Sequence, residues 1–159
     1  MNTRVNHYQA VPALVNTLMN ASAALKKSSL SPTLKHLIDL RASQLNGCAF
    51  CVDMHCKEAR MAGERELRLY HLAVWRESPL FSAQEKAALA LTEAMTRIDE
   101  SGVSDALYHK AREHFSETEI AEIAFAIAII NSWNRLQLVS QMAPGSQDAA
   151  FGLARAGLE

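Results

Sequence analysis

The stretch from Asn46 to Gly63, NGCAFCVDMHCKEARMAG, holds all three cysteines of the chain and one of its six histidines. At about 100° per residue, a helix over this segment brings Cys48, Cys51 and His55 within an arc of roughly 60°, while Cys56 points about 100° away from His55. Two thiols and an imidazole therefore share one face. An i, i+3 pair has Cα atoms about 5–5.5 Å apart, inside the roughly 4.4–6.8 Å window of a disulfide, so Cys48 and Cys51 can bond with little movement of the backbone. A first-turn cysteine is acidified by the positive end of the helix dipole, which favours Cys48 as the reactive thiol. His55, one turn beyond Cys51, can take that thiol's proton or hold its thiolate as an imidazolium, which favours Cys51. The spacing does not choose between them.

Composition narrows what such thiols can be for. The 159 residues suit one domain with one core, and with 49% apolar and 21% charged residues a packed globule is expected. A formal charge of −1, without a dense Lys/Arg cluster, makes nucleic acid an unsuitable partner. The N-terminal MNTRVNHYQAVPALVN lacks the continuous apolar run of a signal peptide, and no later run approaches bilayer length, so no membrane contact and a cytoplasmic location are expected. An odd cysteine count in a reducing compartment argues against a disulfide scaffold. Two thiolates and an imidazole are good zinc ligands, but a structural site takes four ligands from two segments and here one segment supplies them; no metal and no cofactor are expected. Haem attachment would require the histidine directly after the second cysteine.

The elements that must position this face are helical throughout, since the apolar spacing has no sustained period of two. Ser31 reads as an N-cap with Pro32 at the first helical position, and Leu34, Leu37, Ile38 and Leu45 form the stripe of that helix. Asn46-Gly47 breaks it, with Asn46 a plausible N-cap for the cysteine helix and Gly63 its left-handed stop. A helix over about Glu64–Arg76 precedes Ser78-Pro79, and capping boxes at Ser82–Glu85 and Ser116–Glu119 open two more, with a shorter one near Ser104–His114 between them. Ile123 to Ile130 is apolar without interruption, which predicts burial all round, centrally or against another subunit. Asn131 to Arg135, NSWNR, reads either as a polar interruption with Trp133 and Arg135 as interface anchors or as a helix end. Pro144-Gly145 stops the helix, and the remainder reads as a weakly ordered tail or a docking segment.

The run SQLNGCAFCVDMHCKEARMAGE, an Asn-Gly-Cys-x-x-Cys-x-x-x-His pattern entered from one helix and closed by a glycine, resembles the alkylhydroperoxidase D-like (AhpD-like) branch of the carboxymuconolactone decarboxylase superfamily. The resemblance covers about residues 30–94 well. It implies a single all-α AhpD-like domain over 1–159, assembled as a homotrimer or homohexamer, and a thiol-dependent peroxidase or disulfide reductase of antioxidant defence. It further implies that Cys51 attacks a hydroperoxide, that Cys48 resolves the sulfenic acid as a disulfide, and that a lipoyl or thioredoxin-like dithiol restores the enzyme. The relay glutamate expected twelve residues before the first cysteine is replaced by His36, which can shuttle protons but is no fixed negative charge. Glu58 and Asp53 are offset from the thiol face and are not expected to substitute. Gln44 is expected to hydrogen-bond in the site, and Cys56 to be a bystander.

Two other functions compete. A decarboxylase of a muconolactone-like acid would need a cationic pocket and no dithiol. A redox sensor would use the disulfide to alter assembly without turnover.

Overall fold

The computed structural model describes residues 3–158. Among them are nine α-helices and no strand: α1 (His7–Ala10), α2 (Pro12–Leu25), α3 (Pro32–Asn46), α4 (Ala49–Met61), α5 (Glu66–His71), α6 (Ala83–Thr96), α7 (Asp105–Arg112), α8 (Glu117–Ser140) and α9 (Asp148–Phe151). Short 3₁₀ turns follow α5 and α9, at Leu72–Val74 and Leu153–Ala156. The expected helix over Glu64–Arg76 is thus split into α5 and a 3₁₀ turn. None of these helices is long and apolar enough to cross a membrane.

The local signals act where the sequence puts them. The Ser31 side chain accepts from the Leu34 N–H at 3.2 Å with Pro32 next to it, and both capping boxes form, Ser82 with Glu85 and Ser116 with Glu119. Because α3 is apolar on two sides, it lies between α4, α6 and α8 and divides the core. Leu34 and Ile38 face Ala88 and Leu91 of α6 and Ile123 and Ile127 of α8; Leu37 and Leu40 face Ala59, Leu72, Trp75 and Leu89.

The turn from α3 to α4 aims the cysteine helix. Gly47 takes φ +67°, its N–H donates to Gln44 O, and the Cys48 N–H donates to Ser43 O at 3.1 Å, a Schellman closure. Asn46 is therefore the last residue of α3, and Cys48 is the N-cap of α4, where Asn46 was expected. Gly63 closes α4 in the same way, at φ +90°.

Helix α8 departs from expectation. Ile123, Ala126, Ile127, Ile130, Asn131, Asn134, Gln137 and Ser140 point inward at helical spacing, whereas Phe125 is 67% exposed, so the helix is not buried all round within one chain. It ends at Ser140, before Pro144, with Gln141 in the left-handed region at φ 51°. The C-terminal segment docks: Leu153 and Ala156 are buried, and their 3₁₀ turn lies on α4.

Gly47 has open space where a Cβ would stand, so Gly47→Ala tests the backbone conformation alone. Urea unfolding is expected to show a loss of ~1–2 kcal/mol from the left-handed φ; an unchanged midpoint would mean the turn relaxes freely.

Candidate active site

Helix α4 brings Cys48, Cys51 and His55 together as its spacing requires. The two cysteines are free thiols, 2% and 1% exposed, packed with Phe50, Met54 and Met142. Cys48, at the N-cap, has a lowered pKa, first because it accepts a hydrogen bond from the Cys51 side chain; the Cys51 backbone, the charge of His55 and the amide of Asn134 add to this against the cost of burial. The Cys51 thiol is pushed up, chiefly by that same hydrogen bond and then by burial. The two shifts make Cys48 the more acidic thiol of the pair and Cys51 the less acidic one.

His55 is buried, and its Nδ1 lies 2.8 Å from Glu58 Oε2. Burial works against the imidazolium, but the Glu58 hydrogen bond and the charges of Asp39, Glu58 and Cys48 outweigh it, so the His55 pKa is raised. Glu58 is held below its ordinary value despite its own burial, by the His55 hydrogen bond and charge, with a smaller effect from His36. The carboxylate partner of the histidine is thus Glu58, against the expectation that its offset excludes it. Offset from the thiol face is no obstacle, because residues at i and i+3 are neighbours on a helix whatever face either occupies.

His36 is half-buried on α3, close enough to feel the charges of Glu58 and His55, and burial lowers its pKa. It makes no hydrogen bond to either; among the described residues its Nδ1 and the Nε2 of His55 are buried without hydrogen-bond partners. Asp39, also on α3, faces His55 with a carboxyl raised to about 6 by burial. Gln44 is turned instead to Arg41, from which its Oε1 accepts at 3.2 Å. Cys56 packs beside the Leu37–Trp75 core cluster, away from the thiol pair.

The second wall comes from the NSWNR stretch of α8, which lies within the helix and not at its end and turns Asn131 and Asn134 inward. Asn46 Nδ2 donates to Asn134 Oδ1 at 2.8 Å and to Asn131 Oδ1 at 2.9 Å; Asn134 Nδ2 donates to Ser43 Oγ at 3.0 Å. Asn131 Nδ2 donates in turn to Thr96 Oγ1 and Ile127 O. Trp133 is anchored within the chain through Ser22, and Arg135 through Asn131. A third wall is the C-terminal segment, latched to α4 by Lys57: its buried Nζ lies 2.9 Å from Asp53 and 2.6 Å from Asp148, and Asp53 also accepts from the Gly145 N–H.

An all-helical fold around a buried Cys-x-x-Cys helix is the AhpD-like arrangement. Residues 9–94 match the model of the carboxymuconolactone decarboxylase family, and the chain belongs to that family. It is 44% identical over 138 residues to the uncharacterized protein YdfG of Bacillus subtilis (strain 168), covering 87% of this chain and 94% of the relative. A solved structure from Agrobacterium tumefaciens, described as a protein of unknown function and proposed antioxidant defence protein AhpD, superposes with a TM-score of 0.87 at 42% identity, over 90% of this chain and 98% of that one. The debrominase Bmp8 shares the fold at 20% identity, with a TM-score of 0.75 over 91% of this chain and 77% of its own.

The Glu58–His55 pair gives a pH-dependent stability. The raised His55 contributes fully below its ordinary range and loses its contribution as pH rises through the folded value; the lowered Glu58 contributes above its ordinary range and loses it as pH falls. Glu58→Gln is expected to lower stability most at pH ~5–6.5, by ~1–2 kcal/mol, and less at pH ~9. Chemical unfolding across pH checks this; a difference that is constant or grows with pH contradicts the assignment.

Proposed function

We propose that the chain is a thiol-dependent peroxidase or disulfide reductase of antioxidant defence, with Cys48, Cys51 and His55 as the reacting set and His36 as an outer proton acceptor behind Glu58. The observation that carries this reading is a pair of buried free thiols three residues apart, followed on the same helix by a histidine held by a carboxylate. A fold shared with a debrominase does not select a reaction, so the reading rests on these groups.

The step that the family resemblance implies fits the geometry. Transfer of the Cys51 proton to a Cys48 thiolate presents a thiolate at Cys51. Its sulfur attacks the terminal oxygen of a hydroperoxide; an S–O bond forms, the O–O bond breaks, and the leaving alkoxide or hydroxide takes a proton from the His55 imidazolium. Cys51 is left as a sulfenic acid. Cys48 then attacks that sulfur, the S–O bond breaks, water leaves after protonation, and a disulfide remains. Two electrons from a lipoyl or thioredoxin-like dithiol return both thiols. The muconolactone decarboxylase reading has no use for this pair, and a sensor would stop after one equivalent of oxidant.

The reading takes 1–159 as one working domain in the cytoplasm, assembled as a homotrimer or homohexamer. Exposed apolar side chains on α8 (Phe125, Leu138, Val139) and α2 (Leu14, Met19) support self-association. Phe125→Asp is expected to lower the mass seen by light scattering to that of the monomer; an unchanged mass would place the interface elsewhere.

With a dithiol donor present, Cys51→Ser is expected to abolish peroxide consumption, while Cys48→Ser leaves a sulfenic acid on Cys51 that a dimedone-type probe labels. Undiminished consumption by Cys51→Ser sinks the peroxidase reading. Labelling of Cys48 in that variant would reverse the roles of the two cysteines.

A further inference from the structure

The segment that follows α8, residues 142–156, lies on α4 and is held there at few points. It leaves α8 at Gln141, a non-glycine residue in the left-handed region. Met142 then packs against the cluster of Cys48, Phe50 and Cys51. Beyond it the backbone bonds stay inside the segment: Ser146 N–H donates to Ala143 O, Asp148 N–H to Gly145 O and Phe151 N–H to Gln147 O. Among the described residues two polar ties leave it, both to one spot on α4. Lys57 Nζ donates to Asp148 Oδ2 at 2.6 Å, and the Gly145 N–H donates to Asp53 Oδ2 at 3.0 Å. At the far end Leu153 and Ala156 are buried in a turn that packs on α4.

These ties are of a kind that can be released. A buried ammonium left without a counter-charge is costly, and Lys57 is 4% exposed. Asp53, one turn back on α4, lies 2.9 Å from the same Nζ, so the cation keeps a partner when Asp148 departs. The Asp148 side chain is already 23% exposed and rehydrates as the segment lifts. The apolar foot adds one leucine and one alanine, a small area beside that of the helical core. With its own bonds inside and few bonds outside, the segment can open as a unit while the helices stay folded. We propose that residues 142–156 form a strap that gates the dithiol, clasped by Lys57 and Asp148: closed, it seals the Cys48–Cys51 cluster with Met142, and open, it presents the sulfurs to a bulky thiol reagent. What the opening serves, admission of the reducing dithiol, rests on the peroxidase reading; the gating does not.

The test is the rate at which fluorescein maleimide labels Cys48 and Cys51 of the reduced full-length protein, located by mass spectrometry with no peroxide present, together with hydrogen–deuterium exchange of the same samples. Asp148→Asn removes the clasp from the strap side and leaves α4 untouched. It is expected to speed labelling about tenfold and to raise exchange in residues 142–156, while α3, α6 and α8 keep their protection. Lys57→Met removes the clasp from the other side and is expected to speed labelling at least as much. Unchanged labelling in Asp148→Asn despite a loosened strap would mean that the strap covers nothing, and unchanged exchange in the strap would mean that the clasp does not hold it. Faster labelling accompanied by lost protection across α3 and α8 would mean general loosening. Each of these results, or labelling of Lys57→Met no faster than that of the unsubstituted protein, overturns the proposal. A protein that labels as expected but consumes no peroxide with a dithiol donor sinks the functional reading alone.

Discussion

Three amide side chains, Asn46, Asn131 and Asn134, meet between the end of α3 and the middle of α8, and the site depends on their mutual satisfaction. A buried amide without partners costs ~1–3 kcal/mol, so two of them in the longest helix oblige the fold to bring donors and acceptors to them. Asn46 supplies the donor to both carbonyl oxygens. Having done so, it is committed to α3 and cannot cap the next helix. The chain turns at Gly47 instead, and the N-cap position falls to Cys48. The register of both thiols on α4 follows from that displacement.

A negative charge buried beside apolar side chains is costly unless it is met by donors. The site meets it with neutral hydrogen bonds and one cation on a rigid element. The Cys51 hydrogen bond, the Asn134 amide and the start of α4 act on the sulfur of Cys48, and the charge of a protonated His55 acts from about two turns further along. Glu58 sits on the same helix as the histidine it holds. In the relay that the family resemblance describes, the carboxylate comes from the preceding helix, at the place where this chain has His36. With the carboxylate on α4, the histidine and the group that holds it belong to one helix.

What was legible in the sequence was local. Ser31-Pro32, the two capping boxes and Gly63 name their own partners within a few residues, so their geometry appears as read. The Cys48–Cys51–His55 face was legible for the same reason. Glu58 is local too, but its angle to the thiols hides its role, because it acts through the imidazole of His55. Asn131 and Asn134 were not legible: nothing within NSWNR tells whether a polar residue in an apolar helix faces solvent, a subunit or a partner 88 residues away. The outward direction of Phe125 has the same origin, since an unbroken apolar run carries no phase. The Lys57 latch was equally hidden, because Asp148 joins α4 only once the tail has folded back.

The position of the pair also sets limits on its oxidation. Cys48 stands at the cap, with extended backbone dihedrals, and Cys51 lies within helical backbone, so a bond between them is made by turning the cap side chain while α4 keeps its hydrogen bonds. Further oxidation of a sulfenic acid requires a second oxidant molecule to reach the sulfur. Here the sulfur is covered by Phe50, Met54 and Met142, and the competing thiol is already in contact with it. Intramolecular closure is then favoured by proximity as well as by exclusion, since an effective concentration within one helix exceeds that of a dilute oxidant by orders of magnitude. The same cover obstructs an external dithiol. Exchange requires a thiolate to approach a disulfide sulfur, so on the proposed reading an external dithiol reaches the pair by displacement of the side chains around it and of the C-terminal segment that Lys57 latches to α4.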